Sequence, residues 1–76
     1  MLNETPRTFV GTTSFTVMRV TNGDERTVAD EIRAVDGVDT VTVDAGSGEV
    51  VVTANVPVDR VDIARAVARA GHAIAG

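Results

Sequence analysis

Asn22, Asp24 and His72 are the residues of this sequence whose side chains could together hold a metal ion. The amide of Asn22 and the carboxylates of Asp24 and Glu25 offer hard oxygen donors, which suit calcium, magnesium or manganese. An imidazole combined with a carboxylate could instead hold zinc or divalent copper. The candidate metal site is therefore Asn22, Asp24 and His72, and the candidate cofactor is a divalent ion such as zinc or copper.

The same side chains also have a structural interpretation. Asn22 can be the N-cap of a helix, with Glu25 three residues later in a pattern close to a capping box. Asp24 would place negative charge at the positive end of the helix dipole. His72 can cap the second helix or cover the edge of the core. Under this interpretation none of these residues needs a metal ion.

Catalytic chemistry finds little support in the sequence. It contains one histidine, no cysteine and only Ser14 and Ser47 as serines, so it offers no evident pair of nucleophile and base. The glycine-rich stretch 45–48 lacks the following helix and the Lys-Ser/Thr of a phosphate loop. We therefore expect that the protein is not an enzyme.

Composition narrows the range of partners. The 76 residues make one small domain with a net charge of −4, and its seven basic residues are all arginine. Because Phe9 and Phe15 are the only aromatic residues, this composition argues against nucleic acid as a partner. No apolar run is long enough to span a membrane, and the first residues lack the features of a signal peptide. We expect a cytoplasmic monomer without membrane insertion.

The spacing of apolar residues changes along the chain, which predicts alternating strands and helices. A period of two is typical of half-buried strands, and a period near 3.6 is typical of amphipathic helices. Glycine suits the left-handed turn that ends a helix, and proline is tolerated in a first helical turn. The prediction is a flexible lead over residues 1–10 and a domain over 11–76. The first half of the domain has a strand over 11–19, a helix over 24–35 ended by Asp36-Gly37, and a strand from 38. The second half has a hairpin turn over 45–48, a strand over 49–54, a helix opened by Pro57 and stopped by Gly71, and a short edge strand over 72–75.

This order of elements is that of a ferredoxin-like βαββαβ sandwich, an α+β fold. In it a four-stranded antiparallel sheet carries two helices on one face. Two apolar stripes compete on the last helix: Val61, Ala64, Val67 and Ala68, or Ile63, Ala66, Val67 and Ala70. The predicted core consists of Phe15, Val17, Val28, Ile32, Val35, Val41, Val43, Val50, Val52, Ile63 and Val67.

Four spacings of apolar residues and glycines recur between Ser14 and Ala75: Val28-x-x-x-Ile32-x-x-Val35-Asp36-Gly37-Val38, Val41-x-Val43-Asp44, Gly48-x-Val50-x-Val52 and Ile63-x-x-x-Val67-x-x-x-Gly71-His72. With them this part of the sequence resembles the heavy-metal-associated domains, which form small copper chaperones and the N-terminal domains of metal-pumping P-type ATPases. The resemblance implies a function in metal ion binding or transport. It also implies a metal-transporting P-type ATPase, or its soluble domain, as the partner, and it places His72 beside the metal loop.

The metal loop of that family reads Met-Thr/Ser-Cys-x-x-Cys, and its two thiolates bind monovalent copper. Deleting one loop residue keeps Phe15 and Val17 facing inward. Val20 then takes the methionine place, and Asn22 and Asp24 take the cysteine places. The resemblance thus implies a domain without a thiolate site. Two hypotheses remain: a metal-handling module with weak or altered ion preference, and a cysteine-less interaction module that docks a partner with the same surface.

Overall fold

The structure, a computed structural model, describes residues 7–75 of the chain. Its strands and helices follow one another in the order that the periodicity predicts, so the α+β class is confirmed. The elements are β1 (Thr8–Thr16), α1 (Asp24–Arg33), β2 (Val38–Val43), β3 (Glu49–Asp59) and α2 (Arg60–Arg69).

The strands form one antiparallel sheet in the order β1-β3-β2, so β3 lies in the middle. α1 packs against β2 and α2, and α2 also contacts β3. The predicted glycine-rich turn joins β2 to β3, where the Gly48 N–H donates to the Asp44 carbonyl at 2.8 Å. No helix within residues 7–75 is long and apolar enough to cross a membrane.

The prediction of a four-stranded sheet is wrong by one strand, since residues 7–75 contain a three-stranded sheet. The tail after α2 forms a single antiparallel bridge, between Ile74 and Val17. The Ala75 N–H flanks this bridge and donates to the Thr16 carbonyl at 2.8 Å. Just beyond the bridge, Arg19 adopts a left-handed φ of 62°, which takes the chain out of the sheet. Pairing therefore does not extend past Met18, and within residues 7–75 the tail bonds to the backbone of residues 16–18.

Two predicted boundaries also differ from the structure. β1 begins at Thr8 rather than at residue 11, so residues 8–10 belong to the sheet and not to the predicted lead. The rest of that lead, residues 1–6, lies outside the described residues. α1 ends at Arg33, two residues early, and Gly37 takes its left-handed φ of 95° in the turn that follows.

Pro57 lies inside β3 and does not open the second helix, so that prediction is wrong. The pairing of β1 with β3 jumps from Phe9↔Val58 to Gly11↔Ala54, which leaves Pro57 in an irregular part of the ladder. A proline is tolerated there because no regular ladder hydrogen bond is lost. α2 is instead capped by Asp59, whose side chain accepts a hydrogen bond from the Val61 N–H. 

The core prediction is largely confirmed. Val35 and Val43 are partly buried and pack against the core, whereas the other nine predicted members are buried. α2 uses its second stripe, because Ile63, Ala66 and Val67 are buried while Val61 remains 43% exposed. The core residues absent from the predicted set are Phe9, Val20, Ala29, Ala54, Val58 and Ala66.

Candidate functional site

The β1–α1 loop, residues 17–23, carries Asn22, and Asp24 follows it as the first residue of α1. Arg19 takes a left-handed conformation there, which is uncommon outside glycine. Val20 then returns to the core and is only 7% exposed. From the other side the tail holds the loop, because the Met18 N–H donates to the Ala73 carbonyl at 2.8 Å. The loop is thus anchored through two buried side chains, Val17 and Val20, and through its backbone.

The N-cap of α1 is Gly23, with φ 101°, and no side chain caps the helix there. The prediction that Asn22 caps this helix is therefore wrong. Because a left-handed glycine takes the cap position, Asn22 lies one residue too early to reach the free N–H groups. Glu25 does bond back to the loop, but its Oε1 accepts from the Gly23 N–H, at 2.7 Å.

Asp24 is held by Thr21. Its Oδ2 accepts a hydrogen bond of 2.8 Å from the Thr21 hydroxyl and one of 3.3 Å from the Thr21 N–H. The hydroxyl bond, then the N–H bond and more weakly the charge of His72 lower the pKa of Asp24 from its ordinary value of 3.8, against a partial desolvation that raises it. The carboxylate is therefore ionised at neutral pH and committed to the loop.

His72 follows the end of α2, where its N–H donates to the Val67 carbonyl at 3.1 Å. Its side chain is 12% exposed. The ring Nδ1 lies 3.2 Å from the Met18 carbonyl oxygen, and Nε2 lies 3.6 Å from Asp24 Oδ2. The tail thus brings the imidazole against the β1–α1 loop, as the fold resemblance implies.

The contact with Met18 determines which ring nitrogen carries the proton. A carbonyl oxygen can only accept, so Nδ1 must donate to it. In a neutral imidazole the lone pair of Nε2 then faces the carboxylate of Asp24. A metal ion placed between these two acceptors would be attracted by both.

The structure brings Asp24 and His72 together but does not join Asn22 to them. Asn22 is exposed, and in the described part of the chain its side chain makes no hydrogen bond to either residue. Nor do three or more His, Asp or Glu side chains converge anywhere within residues 7–75 in a way that could hold a metal ion. The three-residue metal site remains a prediction.

Sequence reasoning missed the roles of Thr21 and of the Met18 carbonyl. A signal for the first was present, because Thr21-Asn22-Gly23-Asp24 has the spacing of a capping box. It competed with the overlapping pattern of Asn22 and Glu25, and only the left-handed Gly23 decides between them. The Met18 carbonyl has no signal in the sequence, because its partner lies far along the chain.

Comparison with known proteins identifies the fold. No family model matches the sequence, and no curated protein is similar enough to it to count as a relative. Among solved structures, a CopZ metallochaperone superposes with a TM-score of 0.80 at 19% identity, over 86% of this chain and all of that one (100%). A structure on crosstalk between Cu(I) and Zn(II) homeostasis gives 0.77 at 19% identity, over 87% of this chain and 97% of its own.

A third similar structure is oxidised MerP from Ralstonia metallidurans CH34, with a TM-score of 0.68 at 26% identity, covering 90% of this chain and 94% of that one. The three neighbours superpose over nearly their whole lengths. The resemblance found in the sequence is thereby confirmed: the chain has the fold of the heavy-metal-associated domains, and it contains no cysteine from which their metal loop could be made.

Proposed function

We propose that this chain is a heavy-metal-associated-like domain that docks to a component of a metal-transport system and does not carry a soft metal ion. The observation that carries the proposal is the closed state of the β1–α1 loop. Asp24 binds the hydroxyl and N–H of Thr21, and Glu25 binds the N–H of Gly23. The carboxylates of Asp24 and Glu25 are thus engaged within the loop itself.

Ligand chemistry supports the same proposal. Monovalent copper is a soft ion that thiolates bind well and that carboxylate oxygens bind poorly. The chain contains no cysteine, and Met18 is the one sulfur-bearing residue of the β1–α1 loop. Binding of monovalent copper with chaperone-like affinity therefore has no donor set here.

The partner proposed for this surface is a metal-transporting P-type ATPase or its soluble domain, in the cytoplasm. The similarity to a CopZ metallochaperone supports this kind of partner. The surface consists of the β1–α1 loop and the adjoining His72, and it is held in one shape by the tail. A preformed surface loses little conformational entropy on binding, which favours docking.

The copper half of the proposal is tested by thermal unfolding with monovalent copper under reducing conditions. A ligand bound to the folded state raises the melting temperature by mass action, and we expect no rise for the natural protein. The variant with Asn22→Cys, Asp24→Cys and one glycine inserted after Gly23 restores Cys-x-x-Cys and should gain copper binding. The matched control carries the same insertion with Asn22→Ser and Asp24→Ser. Tight binding by the natural protein would overturn the proposal.

The docking half is tested by an NMR titration with the soluble domain of a metal-transporting P-type ATPase. We expect amide shifts to concentrate at the β1–α1 loop and at His72, with no metal added. Arg65→Ala on the exposed side of α2 is a control that should leave the titration unchanged. Absence of shifts at the loop, or shifts that appear only when metal is present, would contradict docking as the function.

A second candidate function is weak binding of a divalent ion such as zinc or copper by Asp24 and His72. The observation that favours it is the pair of facing acceptors, His72 Nε2 and Asp24 Oδ2, 3.6 Å apart. The Met18 carbonyl orients the imidazole as an outer hydrogen-bond partner orients a metal-binding histidine. Because two protein donors leave the other positions of a tetrahedral ion to water, the affinity should be low. Asn22 would contribute only if the loop rearranged.

A further inference from the structure

Asn22 is followed directly by Gly23 in the exposed β1–α1 loop, and this pair of residues has a chemistry of its own. Asparagine is thermolabile, because the backbone nitrogen that follows it can attack the carbonyl carbon of its side chain. A following glycine leaves that nitrogen unshielded, since it carries no Cβ. Within residues 7–75 the side-chain amide of Asn22 bonds to no other group, so no hydrogen bond among them holds it away from Gly23.

The surroundings of Gly23 leave room for this reaction. Gly23 is exposed, and a Cβ added to it would meet no described atom within 4 Å. Asn55, the other asparagine of residues 7–75, lies in β3 and is followed by Val56, whose branched Cβ stands beside the nitrogen. The described part of the chain thus contains one asparagine with an unshielded nitrogen after it.

Glu25 acts on the same nitrogen. Its Oε1 accepts a charge-assisted hydrogen bond of 2.7 Å from the Gly23 N–H. The nitrogen must lose this proton before it attacks, and the resulting anion would face the carboxylate at hydrogen-bond distance. A like charge so close disfavours the anion, so Glu25 opposes the first step. The positive end of the α1 dipole favours the anion, but with about half an elementary charge it is outweighed by the carboxylate.

We propose that Asn22-Gly23 is a site of spontaneous deamidation and that the carboxylate of Glu25 slows the reaction in the folded protein. The deprotonated nitrogen of Gly23 forms a bond to Cγ of Asn22. The bond from Cγ to the side-chain nitrogen breaks, and ammonia leaves with a proton from water. Water then opens the cyclic succinimide at either carbonyl carbon, which gives aspartate or isoaspartate. Overall, one water molecule is consumed for each ammonia released.

Both products change the loop. Aspartate in place of Asn22 puts a second carboxylate beside Asp24 and adds one negative charge to the net charge of −4. Isoaspartate adds one carbon atom to the backbone immediately before Gly23, the N-cap of α1. The reaction consumes only water and needs neither a metal ion nor a partner. This inference is therefore independent of the function proposed above.

Mass spectrometry of the full chain, incubated in heavy-oxygen water, tests the site. Cleavage after arginine in ordinary water releases residues 20–26, which contain Asn22, and residues 34–60, which contain Asn55. We expect the first peptide to exchange its amide for a carboxylate with one heavy oxygen, in an aspartate and an isoaspartate form that chromatography separates. Reactions during digestion stay unlabelled. The second peptide is the internal control and should keep its amide.

Variants of the same chain test the role of Glu25. Glu25→Ala should raise the rate at Asn22 about tenfold, because a hydrogen bond to a charged group no longer holds the proton of Gly23. Glu25→Gln, which can accept this bond without the charge, should give a rate in between. Asp59→Ala, which removes the N-cap of α2, is the stability control and should keep the natural rate. The natural chain unfolded in urea should approach the rate of Glu25→Ala.

The proposal can fail in separate ways. Absence of labelled product at Asn22 in Glu25→Ala, or equal labelling at Asn55, would overturn the site. Equal rates in the natural protein and in Glu25→Ala would overturn the protection by Glu25. A slower reaction in Glu25→Ala would also overturn it, because the carboxylate would then act as the base that removes the proton. Equal acceleration by Asp59→Ala would attribute the effect to unfolding and not to Glu25.

Discussion

The two strand-to-helix connections of this small domain begin their helices in different ways. At the second connection Asp59 ends β3, caps α2 through the Val61 N–H and is followed directly by Arg60. At the first, residues 17–23 separate β1 from α1, and the helix begins at Gly23 without a side-chain cap. The second connection is a short local cap, whereas the first is a loop held by contacts with other parts of the chain.

The sources of order in the two connections explain this difference. The cap by Asp59 depends on residues two positions apart. The β1–α1 loop depends on contacts distant in sequence: Val17 bonds to Gly48 in the hairpin, and Met18 bonds to the tail. A connection ordered by distant contacts can present polar groups that its own sequence would not hold in place. This is why the candidate site lies at the first connection and not at the second.

The largest expected effect tests whether α1 and α2 share one hydrophobic core. Ile32 of α1 and Ile63 of α2 are both fully buried, so each change to alanine should lower the free energy of unfolding by about 2–5 kcal/mol. Urea unfolding measures this, with Val61→Ala at an exposed position as the control. If one of the two changes left the free energy of unfolding unchanged, α1 and α2 would not share one core. The comparison between the connections that lead into these helices would then fail.

The next prediction compares two left-handed glycines. An added Cβ at Gly48 would clash with the Val17 carbonyl oxygen, whereas one at Gly23 would meet no described atom within 4 Å. Gly23→Ala should therefore cost about 1–2 kcal/mol, the conformational term alone. Gly48→Ala should cost clearly more, because the backbone of the β1–α1 loop must move. Equal costs in thermal or urea unfolding would mean that the hairpin does not shape the loop.

The helix caps give a third, smaller difference. Asp59→Ala should lower the free energy of unfolding by about 0.5–2 kcal/mol, because it removes a side-chain N-cap. Asn22→Ala should be nearly neutral, since Asn22 does not cap α1. Asp59→Ser, which can also cap, is the control and should be tolerated. A loss at Asn22 comparable to that at Asp59 would restore the capping role predicted from the sequence.

A fourth prediction concerns pH. The pKa of Asp24 is lower in the folded protein than its ordinary value of 3.8, so the ionised carboxylate favours folding. This contribution is present above pH 3.8 and is lost as the pH falls through the lower, folded-state pKa. Thr21→Val removes the hydroxyl that is the main cause, so it should move the NMR titration midpoint of Asp24 back toward 3.8. An unchanged midpoint would show that Thr21 does not hold the carboxylate.

The smallest expected effect is that of zinc. We expect a slight rise in melting temperature at neutral pH, abolished by His72→Ala and reduced in acid, because a protonated imidazole has no lone pair for a metal ion. Asn22→Ala is the discriminating control, because the structure joins only Asp24 to His72. A loss of the zinc effect in Asn22→Ala would support the full three-residue site predicted from the sequence. No zinc effect in the natural protein would remove the second candidate function.

Periodicity predicted the parts of the fold that depend on neighbouring residues. The hairpin, both helices and most of the core follow from spacings of two and about 3.6, since burial of one face decides each element. The start of α1 could not be predicted in this way, because Asn22 and Thr21 offer overlapping caps and the φ of Gly23 selects between them. Pro57 lies in β3 because of a pairing irregularity with β1, and a single segment does not reveal such an irregularity.

The candidate site could be predicted only where it follows from the fold as a whole. His72 comes next to the β1–α1 loop because the fold brings it there, so recognising the fold was enough to predict that proximity. The orientation of its ring depends on the Met18 carbonyl, 54 positions away in the sequence, which no local pattern indicates. The extent of the fourth strand was likewise not predictable from a local pattern, because the tail forms one bridge with Val17, 57 positions away in the sequence (74 − 17).

The contacts of the tail with the backbone of Met18 have a consequence for synthesis on the ribosome. Ala73 and His72 hold the N–H and the carbonyl of Met18, and both are among the last of the described residues to be translated. A nascent chain that has released β1, α1, β2 and β3 contains all three strands of the sheet, but its β1–α1 loop still lacks these contacts. The loop, which we propose as a docking surface, therefore reaches its final shape only after α2 and the tail have left the exit tunnel.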